Sequence, residues 1–427
     1  MKNCLVIGGG IAGLTAASIL TSKNISVTLL EASPKLGGRT YSFKDQETKT
    51  TIDNGQHILM GCYIETLSFL KQIGAENNFV FQQNLKLIFL SKDKNKYQLN
   101  ADKLFYPLNL LCAILNYDVL TLSEKLSFIG FILRLPFISQ RTLKTKNVLD
   151  WLIQNNQNEN SIKMFWEILG VGALNTYLKN ASALLFHNIL MQIFFNGNYS
   201  STIVLPKFGL SESIVEPAEK YIFKNGGKII TSEKVKELKI LNEKVIEVIT
   251  DKSSYKDFDF VIFATPLFSI EKIIDPTLLG VNVDLTYSTI LNIHIWIDDV
   301  ALNEKFYGLL DSPLHWIFIK YNHLNIVISD ADYLDEKSKV EVYNIAIMEL
   351  QKFIDIDEKK IKHYKIIKEK RATFIPTKEI LDLRPSCKTK FSNLYLAGDW
   401  TNTGLPSTIE SAAKSGRLVA EEIIKTL

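Results

Sequence analysis

Cys4-Leu-Val-Ile-Gly8-Gly9-Gly10-Ile11-Ala12-Gly13 is the stretch that decides the fold. A short apolar run ends in a glycine cluster. Small residues follow to Leu20, and a second apolar run at residues 25–30 closes on Glu31. This is strand, turn, helix and strand within about thirty residues, the size of a βαβ crossover. Glycines at 8, 10 and 13 match the dinucleotide fingerprint. The first permits the tight turn, the second lets backbone approach a pyrophosphate, and the third lets helix pack closely on strand. The amides and dipole at the helix N-terminus then face the phosphates. Glu31 is placed to accept ribose hydroxyls.

NAD and FAD both use such a unit, and the residues beyond it separate them. Glu31-Ala32-Ser-Pro-Lys-Leu-Gly37-Gly38-Arg39-Thr40 sets two glycines and an arginine just past the ribose acid. The glycines let backbone pass close to a cofactor, and Arg39 is available to a phosphate or flavin edge. At the other end of the chain, Leu394-Tyr-Leu-Ala-Gly398-Asp399 reads as a strand running into a Gly-Asp turn. The acid there is placed for the ribitol or pyrophosphate region. A helix is expected over residues 407–424, with Ser407 and Glu410 at capping-box spacing. Its positive end would face the flavin pyrimidine, where reduction places negative charge. The expected cofactor is FAD. The candidate binding set is Gly8, Gly10, Ile11, Ala12, Gly13, Glu31, Ala32, Gly37, Gly38, Arg39, Gly398, Asp399, Thr408 and Ile409.

The chain has 427 residues, 46% apolar and 22% charged, with a net charge of +3. That composition is ordinary for a globular protein. The charge is too small to argue for a nucleic-acid partner. Four cysteines, at 4, 62, 112 and 387, form no C-x-x-C pair and fit a reducing compartment. Residues 3–22 are uncharged behind Lys2, but four glycines interrupt what would be a signal-peptide core. Residues 180–206 also lack charge, yet their apolar core is too short to span a bilayer.

Residues 67–75, 104–138 and 150–192 read as mostly helical, and residues 226–266 as strands. Residues 290–297 alternate, so that Asn292, His294 and Trp296 share one face. Ser338 and Glu341 form a capping box. Gly170-Val-Gly172-Ala-Leu-Asn175 lacks a third glycine and a preceding strand, so a second nucleotide site is not expected. The six histidines show no metal-ligand spacing. His57 is the candidate for orienting substrate or moving a proton. His187 reads as core, His294 as a candidate cavity residue, and Glu410 as a structural cap.

On these residues the chain resembles the flavin-containing amine oxidase and phytoene desaturase superfamily, and within it the hydroxysqualene dehydroxylases, also called squalene-associated FAD-dependent desaturases. Four stretches carry the resemblance: residues 8–39; Asp53-Asn-Gly-Gln-His57-Ile-Leu-Met-Gly-Cys-Tyr63; Gly172-Ala-Leu-Asn-Thr176 with Ser182-Ala183 and Leu205-Pro206; and Ala397-Gly-Asp-Trp-Thr-Asn-Thr-Gly-Leu-Pro-Ser-Thr-Ile-Glu-Ser411. The resemblance implies an α/β fold, with a Rossmann-type FAD-binding domain (1–80, 203–280 and 385–427) interleaved with an α+β substrate-binding domain (81–202 and 281–384). It implies that the backbone of Val235 holds the adenine edge. It implies reductive removal of the hydroxyl of hydroxysqualene, a C30 isoprenoid, to give squalene for hopanoid synthesis. A carotenoid desaturase is the alternative, with an amine oxidase or a non-catalytic lipid-presenting flavoprotein behind it. The reductant has no evident site. The expected location is the cytoplasm, peripheral on the inner face of the cytoplasmic membrane, with residues 104–117 and 126–133 as the lipid-contacting segment and Arg134, Arg141, Lys144 and Lys146 following it.

Overall fold

Asn3–Ile7 is a strand buried from Cys4 onward. A strand apolar on both faces belongs inside a parallel sheet covered on both sides. The computed structural model, which describes every residue except Met1, Asp299 and Tyr321, places it there. The sheet order is Lys228–Ile230, Ser26–Leu30, Asn3–Ile7, Phe260–Phe263 and Leu394–Leu396, all parallel. Five strands from four distant parts of the chain thus make one sheet. Helices Ile11–Ser22, Glu216–Lys224 and Ile409–Ile424 cover one face. The other face packs against the antiparallel strands Val235–Leu241 and Lys244–Thr250.

A second sheet has seven strands in the order Ile361–Phe374, Tyr287–Ile297, Leu324–Ile328, Trp316–Ile319, Phe306–Leu309, Lys86–Leu90 and Lys96–Asn100. The alternation expected at residues 290–297 holds. Leu291, Ile293, Ile295 and Ile297 enter an apolar core beneath helix Lys339–Leu350, whose Ser338–Glu341 capping box is formed. Over the opposite face lies a helical cap, including Leu108–Leu115, Leu122–Arg134, Val148–Gln154 and Ala183–Phe195. Aromatic rings knit its core. Phe128 stacks on Trp166 with centroids 4.6 Å apart, and Phe131 meets Trp151 edge-on at 5.0 Å.

Two helix starts differ from the sequence reading, for one reason. The last helix starts at Ile409, with Thr408 as its cap accepting from the Ser411 amide; Ser407 instead donates to Asp399. Glu410 does not close a capping box on its own helix. Its carboxylate accepts from the amides of Glu65 (2.9 Å) and Thr66 (2.8 Å) and from the Thr66 hydroxyl (2.7 Å). It therefore caps helix Ile64–Gln72, which begins three residues before the position expected from local pattern.

The first and last helices touch backbone to backbone at Gly416. A side-chain carbon there would lie 2.4 Å from the Ala12 carbonyl oxygen and 3.1 Å from the Ala16 nitrogen. Gly416→Val is expected to wedge the helices apart and lower stability by about 1–3 kcal/mol. Urea unfolding of the variant checks this, and a midpoint equal to wild type would show that the helices part freely.

Candidate active site

The glycine turn is built as its residue types require. Gly8 has φ of +111° and its amide donates to Leu30 at 2.8 Å. A side chain at Gly13 would strike the Gly8 carbonyl at 2.0 Å. Only glycine satisfies both positions. Gly10 caps the first helix with no side-chain bond and no acid in the first turn. Its N-terminal amides are left to whatever lies in front of them. Glu31 accepts from the amides of Gly9 and Ser33, each at 2.7 Å, so its carboxylate is held in place beside the turn. Gly37 bonds back to Gly9 at 2.8 Å.

A cavity of about 890 Å³ opens in front of this turn. Its wall includes Gly8, Gly10, Ile11, Ala12, Glu31, Ala32, Gly37, Gly38, Arg39, His57, Val235, Gly398, Asp399, Thr408 and Ile409. Gly13 lies behind, as a packing residue. Arg39 donates to Asp399 (2.6 Å) and to the Ala372 carbonyl (2.6 Å), bridging the two sheets. Burial works against the charge of Asp399, but the Arg39 guanidinium and the Ser407 hydroxyl hold its carboxyl below the ordinary range. Beyond these groups the wall turns apolar, with Ile58, Leu59, Tyr63, Ile290, Trp316, Phe318 and Val327. The polar end offers uncapped amides, a fixed carboxylate and a second helix N-terminus, and the remainder suits a long hydrocarbon.

A family model described as flavin containing amine oxidoreductase matches residues 11–424. The chain belongs to this family. Hydroxysqualene dehydroxylase of Zymomonas mobilis is 26% identical over 419 residues, 97% of each chain. A chloroplastic/chromoplastic 15-cis-phytoene desaturase of an Oncidium hybrid is 22% identical over 99% of this chain and 77% of its own length. An oxidoreductase structure from Methanosarcina mazei superposes with a TM-score of 0.72 at 16% identity, covering 99% of this chain and all of that one; it shows the same fold. The flavin-containing amine oxidoreductase described here is thus an FAD-dependent oxidoreductase on an α/β fold. The open amides at Gly10–Ala12, the open space in front of Gly10, where a side-chain carbon would meet only Gly38 at 4.0 Å, and the carboxylate of Glu31 fit that cofactor.

Several contributors carry no local signal. Arg384 is buried and donates to the carbonyls of Asp399 (2.9 Å), Trp400 (3.2 Å), Leu405 (2.8 Å) and Thr401. It holds the loop that carries Asp399, and nothing around Leu383-Arg384-Pro385 announces that. Arg371 lines the cavity with its guanidinium 4.4 Å from the Phe268 ring. His294 is not a cavity residue. Its ring meets the Asn325 amide at 3.1 Å and the His323 ring at a centroid distance of 5.2 Å. Asn292, two residues earlier on the same face, is the one that lines the wall. His187 is buried, as expected, against the Leu135 carbonyl at 3.0 Å. No metal-ligating cluster occurs among the described residues.

His57 sits deep beside Asp53 and Arg39. Burial, with Arg39 adding to it, pushes its pKa down to about 4. Its ring is therefore neutral near pH 7. His294, His315 and His323 are pushed down by burial to about 3, 4 and 4. An unfolded chain binds these protons near pH 6.5. Between that pH and about 4 the unfolded state is the more protonated, so stability must fall as pH falls through this window. Urea midpoints measured from pH 7.5 to 4.5 are expected to hold steady at first and then drop below pH 6.5. A midpoint that stays constant from pH 7 to 5 would mean that these rings are not buried neutral.

Proposed function

We propose that this oxidoreductase removes the hydroxyl of hydroxysqualene, giving squalene for hopanoid synthesis. One observation carries the reading: a single cavity joins a dinucleotide cradle to an apolar wall, in a chain similar end to end to a hydroxysqualene dehydroxylase. The reading assigns residues 1–80, 203–280 and 385–427 to FAD and 81–202 and 281–384 to substrate.

The alcohol of hydroxysqualene is allylic, so its departure with one proton as water leaves a delocalised cation. Reduced FAD, when bound, would supply both that proton and the hydride that quenches the cation, so that alcohol and reduced flavin give squalene, water and oxidised flavin. Gly10–Ala12 and the start of the last helix would receive the cofactor's phosphates and pyrimidine edge, Glu31 its ribose, and Val235 its adenine. Ile290, Trp316, Phe318 and Val327 would hold the hydrocarbon and exclude water, which otherwise captures the cation. Neutral His57 would present a hydrogen-bonding nitrogen to the leaving oxygen.

The decisive experiment is anaerobic. Dithionite-reduced holoenzyme given hydroxysqualene is expected to form squalene in a single turnover while the flavin reoxidises. Turnover only by oxidised enzyme, to a more unsaturated product, would make the carotenoid desaturase reading correct.

A water-insoluble substrate must be collected from a bilayer, and two exposed stripes support a peripheral lipid contact. Leu104, Leu108, Leu111 and Leu115 recur at helical spacing on one segment, and Leu122, Leu126 and Leu133 on the next. Phe137, just beyond, is 87% exposed. Arg134 and Arg141 stand exposed beside them, which favours an anionic surface. No helix among the described residues is long and apolar enough to cross a membrane. The protein is expected to float with vesicles rich in phosphatidylglycerol, and Leu122→Glu/Phe137→Glu to reduce the bound fraction at least about fivefold. Unchanged flotation of that variant would remove the segment from the lipid contact.

A further inference from the structure

We infer that Asn292, Gln56 and His57 form a cradle that reads the hydroxyl of the substrate against Gly55, an inference that rests on the dehydroxylase reading above. Asn292 lies in the middle of strand Tyr287–Ile297, paired on one side with Val327 and on the other with Ile367. It has no exposed surface, yet its side chain belongs to the cavity wall. Its Oδ1 accepts the Gln56 amide at 3.2 Å. That bond fixes which end of the amide is oxygen, since a backbone N–H needs an acceptor. The Nδ2 group, a donor, is left buried with no partner.

Gln56, on the facing loop, has the complementary deficit. Its Oε1, an acceptor, is also buried and unpartnered. Buried polar atoms without partners are uncommon in native proteins, and each calls for a reason. Here an unmet donor and an unmet acceptor, on two segments joined by a hydrogen bond, line the same cavity, part of whose wall is apolar. An alkene chain satisfies neither group. A hydroxyl suits either kind of group, because it donates one hydrogen bond and accepts others.

Gly55, with no side chain, leaves open the space in front of its Cα, and the oxygen would sit there in van der Waals contact with that carbon. A side-chain carbon built on Gly55 would lie 3.5 Å from Asn292 Nδ2 and 3.9 Å from His57 Nε2. Asn292 Nδ2 and His57 Nε2 thus border the space that the missing side chain leaves open. The loop is pinned rather than loose: Asn54 Nδ2 donates to Glu369 at 3.2 Å, and Asp53 accepts from the Leu210 amide at 2.9 Å and the Ser42 hydroxyl at 2.7 Å. Asn292 and Gln56 act as specificity-determining residues: they fix which carbon of the chain lies in the reacting position, because only one carbon bears the oxygen.

The test compares hydroxysqualene with squalene, which shares the hydrocarbon and lacks the oxygen. Both are titrated into oxidised holoenzyme and read by the flavin difference spectrum, so no turnover is needed. Wild type is expected to prefer hydroxysqualene by about tenfold or more, because a site built to bond a hydroxyl rejects the analogue without one. Gly55→Ala puts a methyl, at ordinary contact distance from Asn292 and His57, into the space through which the oxygen reaches them. It is expected to keep FAD and squalene affinity while the preference falls to near unity. Asn292→Asp, titrated at a pH high enough to ionise the buried carboxyl, keeps the acceptor for the Gln56 amide and removes the donor, and should lower the preference in the same way. A full preference in both FAD-replete variants overturns the cradle. Wild type that converts hydroxysqualene yet binds it no better than squalene also overturns the cradle alone. Wild type that prefers hydroxysqualene in binding but never reduces it overturns the dehydroxylase reading alone.

Discussion

The backbone contact between the first and last helices is the constraint from which the site follows. Gly416 lets the Ala12 carbonyl approach to a distance no side chain would tolerate. That contact brings two helix N-termini, Gly10 and Thr408, to one cavity from opposite ends of the chain. Each carries a partial positive charge, and an extended dianionic cofactor whose ring becomes electron-rich on reduction is suited to both. Two further long-range contacts hold the arrangement. Glu410 of the last helix caps helix Ile64–Gln72, and Arg384 gathers the carbonyls of the loop that carries Asp399. Removing either would leave several buried backbone groups unpaired, which costs more than the bonds themselves contribute.

The floor of the cavity is a different kind of object. It is one face of a seven-stranded sheet whose other face is packed in an apolar core. Side chains rooted on its inner strands, Asn292 among them, move little, because each of those strands is bonded on both sides. On this face Asn292 bonds the facing loop and His294 and His323 are held uncharged by burial, while Glu369 and Lys365 on the neighbouring strand add charge. The apolar stretch at Ile290, Trp316, Phe318 and Val327 suits a hydrocarbon chain. The Arg39–Asp399 pair lies at the cofactor end, and Glu369 and Arg371 bring further charge to the wall.

Much of the cofactor end was legible in the chain of residues itself. The turn at Gly8–Gly13, the acid at Glu31 and the Gly-Asp turn at 398–399 are short-range patterns, and backbone sterics make them nearly unambiguous: no residue but glycine survives at φ of +111° with a carbonyl 2.0 Å from a neighbouring side-chain position. The alternation at residues 290–297 likewise assigned each side chain to a face, because a strand repeats every two residues. It did not say which member of the polar face reaches the cavity. That was decided by the neighbouring strand, where Asn325 engages His294 and Val327 sits beside Asn292. The same holds for Glu410 and Arg384. Their partners lie on segments that no local pattern connects to them, and a hydrogen bond between distant segments leaves no periodic mark on either. Local geometry therefore specified the cradle, while the roles of Asn292, His294, Glu410 and Arg384 depended on which distant backbone groups the packed fold left for them to satisfy.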